Sequence, residues 1–326
     1  MMPVLNIVKK IVASKQTALL ALLFISCPLS ATEASEHSAK LLYVISKDTS
    51  FYQRFTDNLQ RYINTDNTTS QHQSSHRISS NNPALKSEID AGHKLIVSIG
   101  SDALNAISKA NYLGPHFSVL VPAETVKNKK HSGNYSALYV DHPASLYLKL
   151  IKAAMPKTNH VGILLGPSSS HHETELINSA ASVKLQLQIK KITYSKDVSR
   201  NAGQLASDVD VMLALPDPVI HNSQTAQSIL YAGYRHKVPV VAYSSSYLKA
   251  GALISLYSSP DQIAKNAAEH INLRLRANPD HIPISLHPSI FSIGINKSVS
   301  RSLGYESLNE TELMNALITN KADNNE

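Results

Sequence analysis

The sequence predicts an α/β protein: two doubly wound parallel-sheet lobes joined by a three-segment hinge, with a ligand cleft between them. Three observations predict it. Runs of four to six apolar residues alternate with helix-length segments, as expected of parallel strands covered by helices on both faces. The alternation occurs twice at similar length. The apolar runs stop at short polar tips, and open α/β sheets bind ligands just outside the carboxyl ends of their strands.

In the first series, residues 40–45 (KLLYVI) read as a buried strand with a polar tip at 46–50. Residues 51–63 have helical spacing through Phe51, Phe55, Leu59 and Ile63. Residues 64–82 are poor in apolar side chains and read as a loop with one short strand near Arg77 and Ile78. Residues 83–91 are helical, with Pro83 acceptable in the first turn. Residues 94–99 (KLIVSI) form a strand closed by Gly100, Ser101 and Asp102, and a helix covers 103–111. Residues 117–121 form a strand ending at Pro122, Ala123 and Glu124.

A crossing to the second lobe is expected around Gly133 to Ser136. A helix over 143–155 then ends at Pro156. Strand 161–165, a Gly-Pro-Ser-Ser-Ser tip, helix 172–184, strand 187–194 and helix 199–207 follow. Residues 209–256 make a βαβ unit: an apolar run 211–215, Pro216-Asp217-Pro218, a helix over 223–235, a second run 240–243, and three serines. Residues 251–257 should return to the first lobe, where helix 260–276 packs. Residues 289–295 should cross back to helices near Ser298 and Glu310. The lobes are therefore expected at 37–138 with 258–285, and at 139–257 with 286–320. Residues 321–326 read as a disordered tail.

The order of these parts resembles the ABC-transporter substrate-binding proteins of the periplasmic-binding-protein type I fold. That broad family includes binders of aromatic amino acids. The pieces that carry the resemblance are Leu215-Pro216-Asp217, Val238-Pro239-Val240, the stretch Tyr247-Leu248-Lys249-Ala250-Gly251-Ala252-Leu253, and the helix over 267–275. It extends over about 41–317 and is most specific over 209–275. Two departures stand out. Many relatives have Asp-Pro after the strand that here ends in Val121-Pro122-Ala123, and Thr-Gly where this chain has Tyr135-Ser136-Ala137. They leave open a different ligand or a degenerate site.

Composition narrows the function classes. Lys9, Lys10 and Lys15 precede a short apolar stretch over 17–25 and small residues, the order of an export signal over 1–34. Cleavage after Ala31 would remove three lysines and no acid, lowering the formal net charge from +7 to +4. No basic cluster is interleaved with aromatics, so nucleic acid is not an expected partner. Cys27 is the only cysteine; its neighbours Phe24 and Pro28 fit a lipid-anchor site poorly. Cleavage at Ala31 or Ala34 leaves a periplasmic chain without disulfides. The remaining roughly 290 residues suffice for two α/β lobes.

The candidate site is the set of polar tips. Ser46, Asp48, Phe51, Tyr52, Ser101, Asp102 and Glu124 are expected to line the first lobe's face. Ser168, Ser169, Asp217, Ser244 and Ser245 are expected on the second, with Tyr257 at a crossing. The set suits a small zwitterion. Hydroxyls and helix-start N–H groups hold a carboxylate, Asp217 holds an ammonium group, and Phe51 or Tyr52 stacks on a ring. No cofactor, metal or catalytic residue is expected. His171 and Glu175 lie one turn apart, but zinc wants three or four ligands. The chain has no G-x-S-x-G elbow, P-loop or G-x-G-x-x-G, which makes a serine hydrolase a distant alternative. The function implied is an exported monomer that closes around an amino-acid-like solute and delivers it to an ABC permease. A ligand sensor for a membrane receptor or histidine kinase is the alternative.

Overall fold

Strand β1 (Leu41–Ile45) buries all five side chains, as a central parallel strand covered on both faces must. The computed structural model describes residues 41–65, 75–127, 134–276 and 284–322. The expected export signal and Cys27 lie outside the described residues, as do 323–326 of the expected tail.

After β1 the first lobe continues with α1 (Ser50–Thr65), β2 (Ser75–Ser79), α2 (Leu85–Asp90), β3 (Leu95–Ile99) and α3 (Ser101–Lys109). It goes on through β4 (His116–Val121), α4 (Ala123–Lys127) and β5 (Tyr135–Tyr139). The second lobe opens with α5 (Ala144–Ala154), β6 (His160–Leu165), α6 (Glu173–Ser182), β7 (Gln186–Lys191) and α7 (Val198–Ala206). Then come β8 (Val211–Leu213), α8 (Thr225–His236), β9 (Val240–Ala242), α9 (Ser245–Ala250) and β10 (Ile254–Tyr257). Helix α10 (Pro260–Arg276) and β11 (Ser285–Leu286) belong to the first lobe. Strand β12 (Ser292–Ile295), α11 (Lys297–Leu303) and α12 (Glu310–Ala322) belong to the second.

The first sheet has the order β11-β5-β4-β3-β1-β2 and is parallel throughout. The second has the order β12-β10-β9-β8-β6-β7, with β12 antiparallel at its edge. Both are doubly wound orders in which the chain reverses direction beside its first strand. The switch points therefore fall between β1 and β3, and between β6 and β8. Each sheet is covered on both faces. Phe55, Leu59, Ile263 and Ile271 of α1 and α10 pack on one face of the first sheet, and Leu85, Ile89 and Ile107 on the other. Leu148, Ile151, Leu313 and Leu317 cover one face of the second sheet, and Val198, Leu205 and Ile229 the other.

Three connectors join the lobes, at 140–143, 258–259 and 287–291. One hydrogen-bonded chain runs through all of them. Ser258 Oγ donates to Ile290 O (2.6 Å) and lies 3.0 Å from His142 Nε2. Gln262 Nε2 adds a bond to Ser292 Oγ at 2.9 Å.

Several expectations are corrected. Tyr135 and Ser136, expected at the crossing, instead begin strand β5. Ser136 reads as polar, yet its hydroxyl accepts from buried Arg274 and from Ile284 N–H, which lets it sit fully buried in mid-strand. Residues 254–257 do not yet return to the first lobe; they are β10, and the chain crosses after Tyr257. The back-crossing ends at Phe291, because Ser292–Ile295 pairs with β10. The tips after β4 and β9 begin helices α4 and α9. Helix α12 extends through Ala322, two residues into the expected tail.

Candidate functional site

The strand ends of the second lobe, the tip of β4 and the connectors enclose a cavity of about 720 Å³. The first lobe contributes Pro122, Glu124 and Thr125. The connectors contribute Val140, Asp141, His142, Ser258 and Ser259. The second lobe contributes Tyr147, Ser168, His171, His172, Asp217, His221, Tyr243, Ser244, Ser245 and Tyr257. A bulge shapes the first lobe's part. Leu120 is an extra residue between paired Val119 and Val121, with φ +57°, and such bulges bend a strand and re-aim its tip.

Asp217 is 3 % exposed and organises the second lobe's wall. Its Oδ2 accepts from Ser168 N–H (2.9 Å), Ser169 N–H (2.9 Å) and Ser169 Oγ (3.0 Å). Its Oδ1 accepts from Val219 N–H (2.9 Å) and Ile220 N–H (3.3 Å). One carboxylate thus ties the tip of β6 to the tip of β8. The approach is so close that a Cβ on Gly166 would lie 2.5 Å from Oδ1, so glycine is required there. Ser169 is fully buried and also accepts Gly166 N–H at 2.9 Å.

Ser244 caps α9, its Oγ accepting Tyr247 N–H at 3.1 Å. The capped turn sets Tyr247 against His221 and Tyr243, with ring centroids 5.4 and 5.9 Å away, and Tyr247 Oη lies 2.9 Å from His221 Nδ1. Ser244→Ala should therefore cost about 1 kcal/mol of stability, read as a lower urea midpoint with circular dichroism otherwise unchanged. An unaltered midpoint would remove the cap from the account.

Across the cleft, His171 Nδ1 lies 3.1 Å from Glu124 Oε2 and stacks at 3.9 Å on His172. Burial pushes two lining imidazoles, His142 and His221, down to about 4; His287 adds to the effect at His142, while Asp217 partly opposes it at His221. Burial also raises the Tyr243 hydroxyl. Among the described residues no group of three His, Cys, Asp or Glu side chains is placed to hold a metal ion. The arrangement offers hydrogen-bond acceptors and aromatic rings around one cavity, chemistry suited to holding a solute.

The model of the family described as ABC transporter substrate binding protein matches residues 50–316. The chain belongs to this family. The family is made up of solute-binding proteins rather than enzymes; membership implies a small-molecule ligand and a membrane permease as partner. No curated protein matches the chain. Among solved structures it is similar to a conserved domain protein from Vibrio cholerae (20 % identity, 85 % of this chain and 98 % of that one, TM-score 0.57). It is also similar to an ABC domain in complex with L-Trp from Streptococcus pneumonia (18 %, 82 % and 95 %, 0.55). A third is a ligand-free, open substrate-binding protein with adhesive properties from Clostridium difficile (15 %, 82 % and 95 %, 0.65). These likenesses show the type I periplasmic-binding fold. Among the described residues no helix is long and apolar enough to cross a membrane.

Within this substrate-binding fold the expected site residues divide. Glu124, Ser168, Asp217, Ser244, Ser245 and Tyr257 line the cavity, and Ser169 lies directly behind Asp217. The others sit at the carboxyl ends of β1 and β3, outside its lining. Ser46 is buried and its Oγ accepts Ala103 N–H (3.1 Å), which ties β1 to α3. Gly100 must be glycine beside it, since a Cβ would lie 2.5 Å from that oxygen. Asp48 accepts from Gln53 Nε2 (2.7 Å) and borders a separate cavity of about 440 Å³. Phe51 and Tyr52 pack edge to face at 5.2 Å. Ser101 and Asp102 open α3, with Asp102 exposed. Asp141, His142, Tyr147, His221 and Tyr243 are absent from the expected set, and His171 and His172 enter it only as a metal candidate that was set aside. Tyr147 looked like ordinary helix core and the histidines looked scattered. Only Tyr243, directly before the three serines, carried a local signal.

Proposed function

We propose that this family member is exported and works as a solute-binding protein. It closes its two lobes around a small solute with polar and aromatic character and delivers it to an ABC permease. The supporting observation is the cavity itself: it is lined by both lobes and by residues of the connectors around which they would turn. Binding then acts by shifting an open–closed equilibrium, and the permease reads the closed shape. Asp217 and Ser244 shape the wall, and Tyr147, Tyr243 and Tyr257 supply ring contacts.

Solution scattering should show a smaller radius of gyration when a saturating ligand is added. A saturating ligand that leaves the profile unchanged would remove closure as the mechanism.

A further inference from the structure

Resting on the solute-binding reading, we infer that the cleft takes an organic amine: a cation on a ring-bearing body, without a carboxylate. The N–H groups at the tips of β6 and β8, which would suit a ligand carboxylate, are already taken. The N–H groups of Ser168, Ser169, Val219 and Ile220, with the Ser169 hydroxyl, all donate to the carboxylate of Asp217. At these two tips the protein's own anion uses the donors that a ligand carboxylate would need.

The charged walls point the same way. Glu124, Asp141 and Asp217 line the cavity, and no lysine or arginine does so among the described residues. A cavity of this kind, with three tyrosines on its walls, favours a cation and disfavours an anion.

A buried acceptor supplies the specific contact. Ser258 Oγ gives its proton to the carbonyl of Ile290, which can only accept. His142 Nε2, 3.0 Å from the same Oγ, must then carry the ring proton. That leaves Nδ1 as a bare lone pair. His142 is 4 % exposed, lines the cavity, and its Nδ1 has no hydrogen-bond partner. An ammonium N–H would satisfy it. The same imidazole is bonded to the middle connector, so a ligand held there engages the hinge directly.

The test compares tryptamine, N-acetyltryptamine and L-tryptophan by calorimetry at pH 8. There the amine is still charged and imidazoles of ordinary pKa are neutral. Tryptamine should bind at least ten-fold tighter than either companion. Equal or tighter binding of L-tryptophan or of the neutral amide overturns the inference, and so does failure of all three to bind. Should a sugar or polyol instead compact the protein in scattering, solute binding stands and the amine reading alone falls. His142→Phe keeps the ring contact with Phe291 and removes the acceptor. Its folded form should lose at least ten-fold in tryptamine affinity; an unchanged affinity excludes Nδ1 as the contact. If that variant does not fold, the comparison of the three compounds on the parent protein decides.

Discussion

Asp217→Ala should destabilise the ligand-free protein by about 3–5 kcal/mol, the size expected when the charged member of a buried, hydrogen-bonded set is removed. Five donors would lose their acceptor: the N–H groups of Ser168, Ser169, Val219 and Ile220, and the Ser169 hydroxyl. The tips of β6 and β8 would no longer be tied together, so the wall carrying His171 and His221 should loosen. Asp217→Asn should also destabilise, because an amide group turns an NH₂ towards donors on one side. Urea unfolding without ligand, followed by circular dichroism, reads both variants. Read from sequence alone, Asp217 would act through a ligand ammonium group, with a loss of about 2–5 kcal/mol in affinity on truncation. The two roles separate cleanly. An Asp217→Ala protein with parental stability and lost affinity would make the residue a ligand contact rather than an organiser of the wall.

Acid should weaken the fold well before the carboxylates titrate. His142 and His221 are held neutral by burial, with pKa values pushed from 6.5 down to about 4. In the unfolded chain both take up a proton near pH 6.5; in the folded protein they do so only near pH 4. The unfolded state therefore binds more protons throughout that window. Stability is fully present above pH 6.5, falls as pH drops towards 4, and levels off below it as far as these two groups are concerned. Each imidazole should account for a loss on the order of 3 kcal/mol across the window. Urea midpoints measured from pH 7.5 to 4 should show the decline. His142→Phe combined with His221→Phe should flatten it. A double variant with the parental slope would show that other groups set the acid sensitivity.

The fold was legible because its signals are local. Strand 41–45 is an uninterrupted apolar run, 95–99 is broken only by Ser98, and helices such as α1 repeat apolar residues every three to four positions. Where the local signal was polar, the reading failed. Ser136 hid β5, since the partner that satisfies its hydroxyl, Arg274, lies 138 residues away. The serines after β9 looked like a loop, although Ser244 is the cap that starts a helix. A strand tip and a helix cap use the same residue types, so composition alone does not separate them.

The class of the molecule is written in the order of its residues. Two rounds of alternating buried runs and helices dictate two doubly wound lobes, and doubly wound lobes dictate a cleft at their strand ends. Which polar groups in that cleft remain available to a solute depends on long-range packing. The Asp217 carboxylate is consumed by N–H groups 48 and 49 residues away, and the tautomer of His142 is set by a serine 116 residues away on another connector. A residue type states what a side chain can donate or accept. Its partners, brought together by the long-range packing of the sheets, state what is left over, and that remainder is what a ligand meets.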